Sequence, residues 1–200
     1  MATSQRMADL VVKVCDLFEK DRARTGIKDR RPKMFPPAAL HAIRAFEKKI
    51  ARQFPPSYVE FLKVTNGVLE YQRSFTLIGV SGEHTEEALA DINKRRTHYT
   101  AEWEKEHGKA TEAAIETFEK KMDFSKKTEG EAHIYPGNKF AFGTDLLGSL
   151  FYFLDPGPKE DSEGRVVWRD NLARLVVYDN FRAMLERNIT VLSKRLGIEV

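Results

Sequence analysis

The stretch Ile43 to Gly67, IRAFEKKIARQFPPSYVEFLKVTNG, constrains this chain more than any other. A helix is expected from about Pro37, a favourable first-turn residue, to Gln53, with Leu40, Ile43, Phe46 and Ile50 on its apolar face. Phe54-Pro55-Pro56 stops it and resets the chain direction. Ser57 is placed to cap a second helix, whose inward residues are Tyr58, Phe61, Leu62 and Thr65. Asn66-Gly67 then supplies a left-handed residue, which ends a helix at little cost. Two short helices with one apolar face each need a further layer to cover them, so this stretch reads as the nucleus on which later strands pack.

The rest of the chain supplies that layer. Met7, Leu10, Val11, Val14, Leu17 and Phe18 recur at three- and four-residue steps, which predicts a first amphipathic helix with Ser4 as its cap and Gly26 at its end. Arg30 to Pro37 reads as an irregular, basic connector. Ser74 to Val80 is the first clear strand, and Thr85 is placed to cap a helix through Glu87, Leu89 and Ile92. From Thr97 to about Met122 the chain is charged and helical, broken or bent at Gly108, with Lys126 to Glu131 a polar loop. Four short strands follow, Lys139–Gly143, Ser149–Leu154, Arg165–Arg169 and Leu175–Tyr178, with a long polar turn from Asp155 to Gly164. A last helix starts near Asp179 or Asn180 and turns Phe181, Met184, Leu185, Ile189, Leu192 and Leu196 inward. Turn-sized links between adjacent strands imply antiparallel pairing. The class is therefore α+β: N-terminal helices, a twisted, mainly antiparallel sheet, a C-terminal helix and a charged helical insertion. The 200 residues read as one domain, in which 1–36 form the first helix and basic connector and 98–127 the insertion.

Charge is unevenly spread under a net value of only +3. Lys20, Arg22, Arg24, Lys28, Arg30, Arg31 and Lys33 crowd one segment, whereas Glu102, Glu104, Glu106, Glu112, Glu116 and Glu119 crowd another. A dedicated nucleic-acid binder would concentrate one basic face and interleave aromatics, so no nucleic-acid partner is expected. The N-terminus lacks the apolar core of a signal peptide and no segment has membrane-spanning length, so neither secretion nor a membrane is expected. The lone Cys15 sits on an apolar helical face as a buried thiol. The expected compartment is the cytoplasm.

Chemistry is hard to find. His41, His84, His98, His107 and His133 are scattered and lack metal-site spacing. Ser149 follows Gly148 but leads into a strand, the wrong geometry for a nucleophile elbow. Gly143, Asp145 and Gly148 read as a hairpin turn rather than a phosphate loop, because no helix follows to offer its amides. Phe140, Phe142, Phe151, Tyr152 and Phe153 alternate across two strands, and any aromatic left outside the core would mark a protein-binding face. No catalytic, cofactor or metal residues are therefore assigned, and a small-molecule ligand is not expected.

The order Ile43-x-x-Phe46-Glu47-x-x-Ile50, Phe54-Pro55-x-x-Tyr58-x-x-Phe61-Leu62, Asn66-Gly67 resembles the N-terminal signature of the SUKH superfamily, the Smi/Knr type. Phe142-Gly143-Thr144-Asp145 with Gly148 before an aromatic strand is similar to that family's later strand–turn–strand. Phe54 stands where a leucine is usual and Ala51 where a glycine is common. The resemblance runs from about Leu40 to Ile189, with the charged insertion outside it. It implies an α+β fold without enzymatic activity, in which Glu47, Pro55, Tyr58, Phe61, Leu62, Asn66, Gly67, Gly143, Asp145 and Gly148 are structural. Glu47 is left between two roles, bonding backbone at the helix junction or lying at a functional surface. Family members include fungal cell-wall-synthesis regulators and many bacterial immunity proteins. The expected partner is accordingly a cognate secreted toxin, and the acidic insertion around Trp103, Glu106 and Glu112 would suit a basic, nuclease-type one. A scaffold or regulatory module, and an enzyme using His84 or His133, are the alternatives.

Overall fold

Among the described residues seven strands pair in strict chain order, each antiparallel to the next. The computed structural model describes residues 2–26, 31–72, 74–120, 134–153, 163–169 and 175–199. Its strands are β1 (Lys33–Met34), β2 (Val68–Leu69), β3 (Thr76–Leu77), β4 (Phe140–Thr144), β5 (Leu150–Phe153), β6 (Val166–Arg169) and β7 (Leu175–Tyr178). Its helices are α1 (Ala2–Arg24), α2 (Leu40–Lys49), α3 (Pro56–Val64), α4 (Glu83–His107), α5 (Glu112–Lys120) and α6 (Phe181–Leu196). Helix, antiparallel sheet and closing helix make the α+β class expected from the sequence.

Period-two alternation decides where the aromatic residues go. Phe140 pairs with Phe153 and Ala141 with Tyr152, after which a β-bulge leaves Phe142 extra and sets Gly143 opposite Phe151. The four phenylalanines thereby share one face. There Phe142 meets Tyr58 of α3 at 5.3 Å and Phe181 of α6 at 5.5 Å between ring centroids. The bulge also explains Gly143, since a Cβ at this position would lie 3.1 Å from both Leu77 Cδ2 and Phe151 Cδ2. Helix α1 closes this side by packing on α3 and α6, with Met7, Val11, Val14, Leu17 and Phe18 buried. Arg22 of α1 is buried as well, its Nη2 donating to Glu70 Oε2 at 3.1 Å.

The second face is covered too. Helix α4 lies against β4, where the Thr144 hydroxyl donates to Asp91 Oδ2 at 2.8 Å. The Arg169 guanidinium sits 3.8 Å from the centroid of the Tyr99 ring. Ile134 packs with Val167, Leu175 and Val177 in a smaller, separate cluster. All five alternating aromatics are thus buried.

Several local expectations are corrected. α1 already begins at Ala2, which puts Ser4 inside the helix. Leu40 is not on the buried face of α2 but 50% exposed, because the helix starts there and its apolar stripe begins at Ile43. The N-cap of α3 is Pro55, not Ser57, whose amide and hydroxyl are instead held by Glu163 at 3.0 and 2.5 Å. Thr85 is not a cap either, since Gly82 is the N-cap of α4 and the Thr85 hydroxyl donates to Ser81 O. The strand expected over 74–80 is only two residues long, Thr76–Leu77. The basic connector contributes β1 to the sheet edge, and Arg31 pairs with Glu19. Most consequentially, the short helix after Thr85 and the first part of the charged excursion form one continuous α4. Ala88, Ile92, Tyr99 and Trp103 keep helical spacing along it, and no Gly or Pro interrupts them before Gly108. Residues 121–127 of the expected insertion, the loop at 126–131, His133, Lys28 and Arg30, and the turn residues 155–162 lie outside the described residues.

Candidate functional site

The signature residues of the opening stretch converge on one buried knot. Glu47 is buried at the α2–α3 junction, where Oε1 accepts the Phe54 amide at 2.7 Å and Oε2 accepts from Arg44 Nη1 at 2.7 Å. Glu47 therefore does bond backbone where the prolines prevent a continuous helical ladder. Pro55, at φ −58°, offers its carbonyl to the amides of Tyr58 and Val59 and so starts α3. The Tyr58 hydroxyl donates to Ile78 O at 2.7 Å, and its ring touches those of Phe54, Phe61, Phe142, Phe153 and Phe181. Burial pushes the phenol well above its usual range. Phe61 and Leu62 are buried beside it.

Asn66 is the centre of the knot. Its Oδ1 accepts from the Val80 amide at 2.7 Å, and its Nδ2 donates to Ser81 O at 2.9 Å and Ser81 Oγ at 3.1 Å. Its backbone amide donates to Pro36 O, and its carbonyl lies 2.9 Å from His84 Nε2. Gly67 is at φ +100°, yet it does not end α3, which closes two residues earlier through Thr65 in an extended conformation. Its glycine requirement is instead a close approach: a Cβ there would lie 2.7 Å from Leu77 O and 2.9 Å from the Gly79 amide. Gly79 faces Asn66 under the same crowding, and nothing local in the sequence marks it. Thr65, expected only to face inward, does more. Its hydroxyl accepts from the Phe35 amide at 3.0 Å and donates to Gly67 O at 2.7 Å.

The second group of signature residues builds the β4–β5 turn. Asp145 Oδ1 accepts the amides of Leu147 and Ser149, both at 2.8 Å, an arrangement that fixes the turn backbone. Gly148, at φ +99°, accepts from the Tyr99 hydroxyl at 2.8 Å, so the turn is tied to α4. The tip itself presents Leu146 and Leu147, 72% and 69% exposed. A search for periodic apolar faces misses this pair, although adjacent leucines inside a polar turn are a usable signal.

The three residues expected at a partner-binding surface are placed differently from one another. Trp103 is only 4% exposed and packs edge-on to His107 and Tyr135 at 4.9 and 5.1 Å, so it supports the surface from beneath. Glu106 lies in the last turn of α4 and Glu112 begins α5, on either side of Gly108, and both are exposed. Glu119 of α5 reaches back to the buried Lys139 ammonium at 2.9 Å.

Among the described residues no group of three or more His, Cys, Asp or Glu side chains is placed to hold a metal, and no helix is long and apolar enough to cross a membrane. Cys15 is buried, and burial first, then Asp16, raises its thiol from 9.0 to about 12. It is protonated and shielded at neutral pH. What the arrangement does is hold backbone segments in place. None of the curated proteins compared matches the chain. The model of the SMI1 / KNR4 family (SUKH-1) matches residues 37–187, three quarters of the sequence and a span within which all ten signature residues lie. The knot at Asn66 and the turn at Asp145 are thus the framework of a chain that belongs to the SMI1/KNR4 (SUKH-1) family.

Proposed function

We propose that this chain is a non-enzymatic immunity protein that binds and neutralises a cognate secreted toxin in the cytoplasm. The match to the SMI1/KNR4 family over residues 37–187 carries the reading, because that family includes bacterial immunity proteins. Neutralisation would work by occlusion: a rigid surface covers the toxin's active site or substrate cleft. The proposed surface joins the exposed carboxylates Glu102, Glu106 and Glu112 to the apolar tip at Leu146 and Leu147. The Tyr99–Gly148 hydrogen bond couples the helix and the tip. Acidic rim residues steer a basic partner and raise its association rate, while a desolvated leucine pair supplies contact area.

Deleting residues 98–121 is a poor test, since it would remove Tyr99, Trp103 and the partner of Lys139 from the folded interior. Charge reversal of Glu102, Glu106 and Glu112 to lysine leaves that interior intact. If a neighbouring gene encodes a protein that arrests growth, co-expression of this chain should restore growth, and the purified pair should form a complex. The triple reversal should slow association by about tenfold or more at low salt and lose that effect at high salt. Complex formation without growth rescue would favour a scaffold or regulatory module, and failure of both rescue and complex formation refutes the reading.

A further inference from the structure

A cleft of about 640 Å³ lies between α2, α4 and the segment leading into β4. Its floor is apolar, made by Phe46, Ile50, Leu89 and Phe140. Its walls carry Lys49, Arg52 and Arg96 against one carboxylate, Glu86. Lys139 also lines it, but the Lys139 ammonium is already neutralised by Glu119 at 2.9 Å. Arg52 spends Nη2 on Asn138 O at 2.8 Å, whereas its Nη1 is buried and has no hydrogen-bond partner among the described residues. Arg96 makes a single 3.4 Å contact to Lys139 O. Among the described residues neither arginine is in an ion pair.

Burial lowers the Arg52 guanidinium below its usual range, and the facing Arg96 charge lowers it further. Two like charges held together in a partly desolvated cleft destabilise each other, and an anion between them would reverse the sign of that interaction. A carboxylate matches the planar donor fork of a guanidinium. The apolar floor asks for a ligand with aliphatic side chains beside its acids. Arg52 also lines a second, larger cleft between α2 and α3, whose wall adds Lys48 and Lys63 beside two carboxylates already in ion pairs, Glu47 with Arg44 and Glu60 with Arg182. The path is therefore elongated, as an extended peptide would need. Phe46, Phe54 and Phe140 are buried, so no exposed ring offers a base a stacking face, which disfavours single-stranded nucleic acid.

We propose that this cleft is a docking site for an acidic, leucine-containing segment of a partner protein, with Arg52 and Arg96 pairing its carboxylates. It is opposite in charge to the α4–α5 surface and does not require that the partner be a toxin.

The test is fluorescence anisotropy on the full chain with a labelled twelve-residue peptide of alternating Glu and Leu. A Gln/Leu version, a twelve-nucleotide single-stranded RNA and inorganic phosphate serve as comparators. The Glu/Leu peptide should bind, and the Gln/Leu peptide should bind at least about tenfold more weakly, since one charge-assisted bond is worth roughly that factor. Arg96→Gln should weaken the Glu/Leu peptide about tenfold and Lys49→Ala a few fold, whereas Lys20→Gln, exposed on α1 and outside the cleft, should not. Arg96→Gln is preferred to an Arg52 change because Arg52 also holds the Asn138 carbonyl. Unaltered melting of the variants secures the comparison. No binding, equal binding of the Gln/Leu peptide, indifference to Arg96→Gln, tighter RNA binding, or displacement by phosphate at millimolar concentration would each overturn the proposal.

Discussion

Replacing Asn66 with alanine removes one acceptor and two donors from the junction between α3 and the segment 78–81. The three lost bonds are not equivalent. Val80 is buried, so its amide would be left without a partner, at a cost of about 1–3 kcal/mol. Ser81 is exposed and its carbonyl can turn to water, so that bond contributes only about 0.5–1.5 kcal/mol. The sum is about 1.5–4.5 kcal/mol, a large share of a typical domain's roughly 5–15 kcal/mol. For a chain of this size it corresponds to a fall in Tm of roughly 3–18 °C. Urea unfolding followed by circular dichroism would measure it, with Ser81→Ala as a control that loses only the 3.1 Å contact. Asn66→Asp keeps the acceptor for Val80 but turns an oxygen toward Ser81 O, so it should fall between the control and alanine. A loss below about 0.5 kcal/mol for Asn66→Ala would refute the reasoning, because it would mean the Val80 amide finds another partner.

Three further outcomes follow from other parts of the molecule. Ala51 is held at φ +51°, so Ala51→Gly should relieve left-handed strain and stabilise the chain by about 0.5–1 kcal/mol in the same unfolding assay. Glu119→Ala strands the buried Lys139 ammonium and should cost about 3–5 kcal/mol, whereas Glu119→Gln with Lys139→Met should recover most of it. Stability should fall as pH rises from about 9 to about 12. Cys15 is raised by burial and Asp16 from 9.0 to about 12, and Tyr178, chiefly by burial, from 10.0 to about 12. A raised acid stabilises the fold fully below its unfolded value, and that contribution is lost as pH climbs to the folded one. In Cys15→Ala the part of the decline beginning near pH 9 should disappear from pH-dependent urea titrations.

Legibility in the sequence follows the range of the interaction. α1, α6 and the strands β4 to β7 are readable because their apolar spacing repeats within a few residues. β1 and β2 are not, since Lys33–Met34 and Val68–Leu69 are two residues each and exist only through pairing with distant segments. Gly67 stands out in the sequence, but for the wrong reason. Its local context suggests a helix stop, whereas its constraint is the backbone of Leu77 to Gly79 pressing on it from another segment. Trp103 is expected at the binding surface with Glu106 and Glu112, but it is buried, and one of the rings against it is that of Tyr135, distant in sequence. Arg52 and Arg96 each look like ordinary helix-surface cations, and their convergence requires the fold.

The ten signature residues are committed inward: to a backbone amide at Glu47, to a carbonyl at Tyr58, to the crossing segment at Asn66 and Gly67, and to the turn at Asp145. Each uses its polar atoms, its ring, its buried aliphatic side chain or its lack of a side chain on its own chain, so little recognition capacity remains in the signature itself. What stays available lies where the framework sets it without using it up. Leu146 and Leu147 stand on a turn whose backbone Asp145 has already satisfied. Glu102, Glu106 and Glu112 lie on helices anchored underneath by Trp103 and by Glu119 with Lys139. Arg52 emerges from the junction that Glu47 holds and lines the cleft beside Arg96. Rigid support beneath side chains free to change is the arrangement a binding protein needs, because a partner can then be exchanged by surface substitution at no cost to the core.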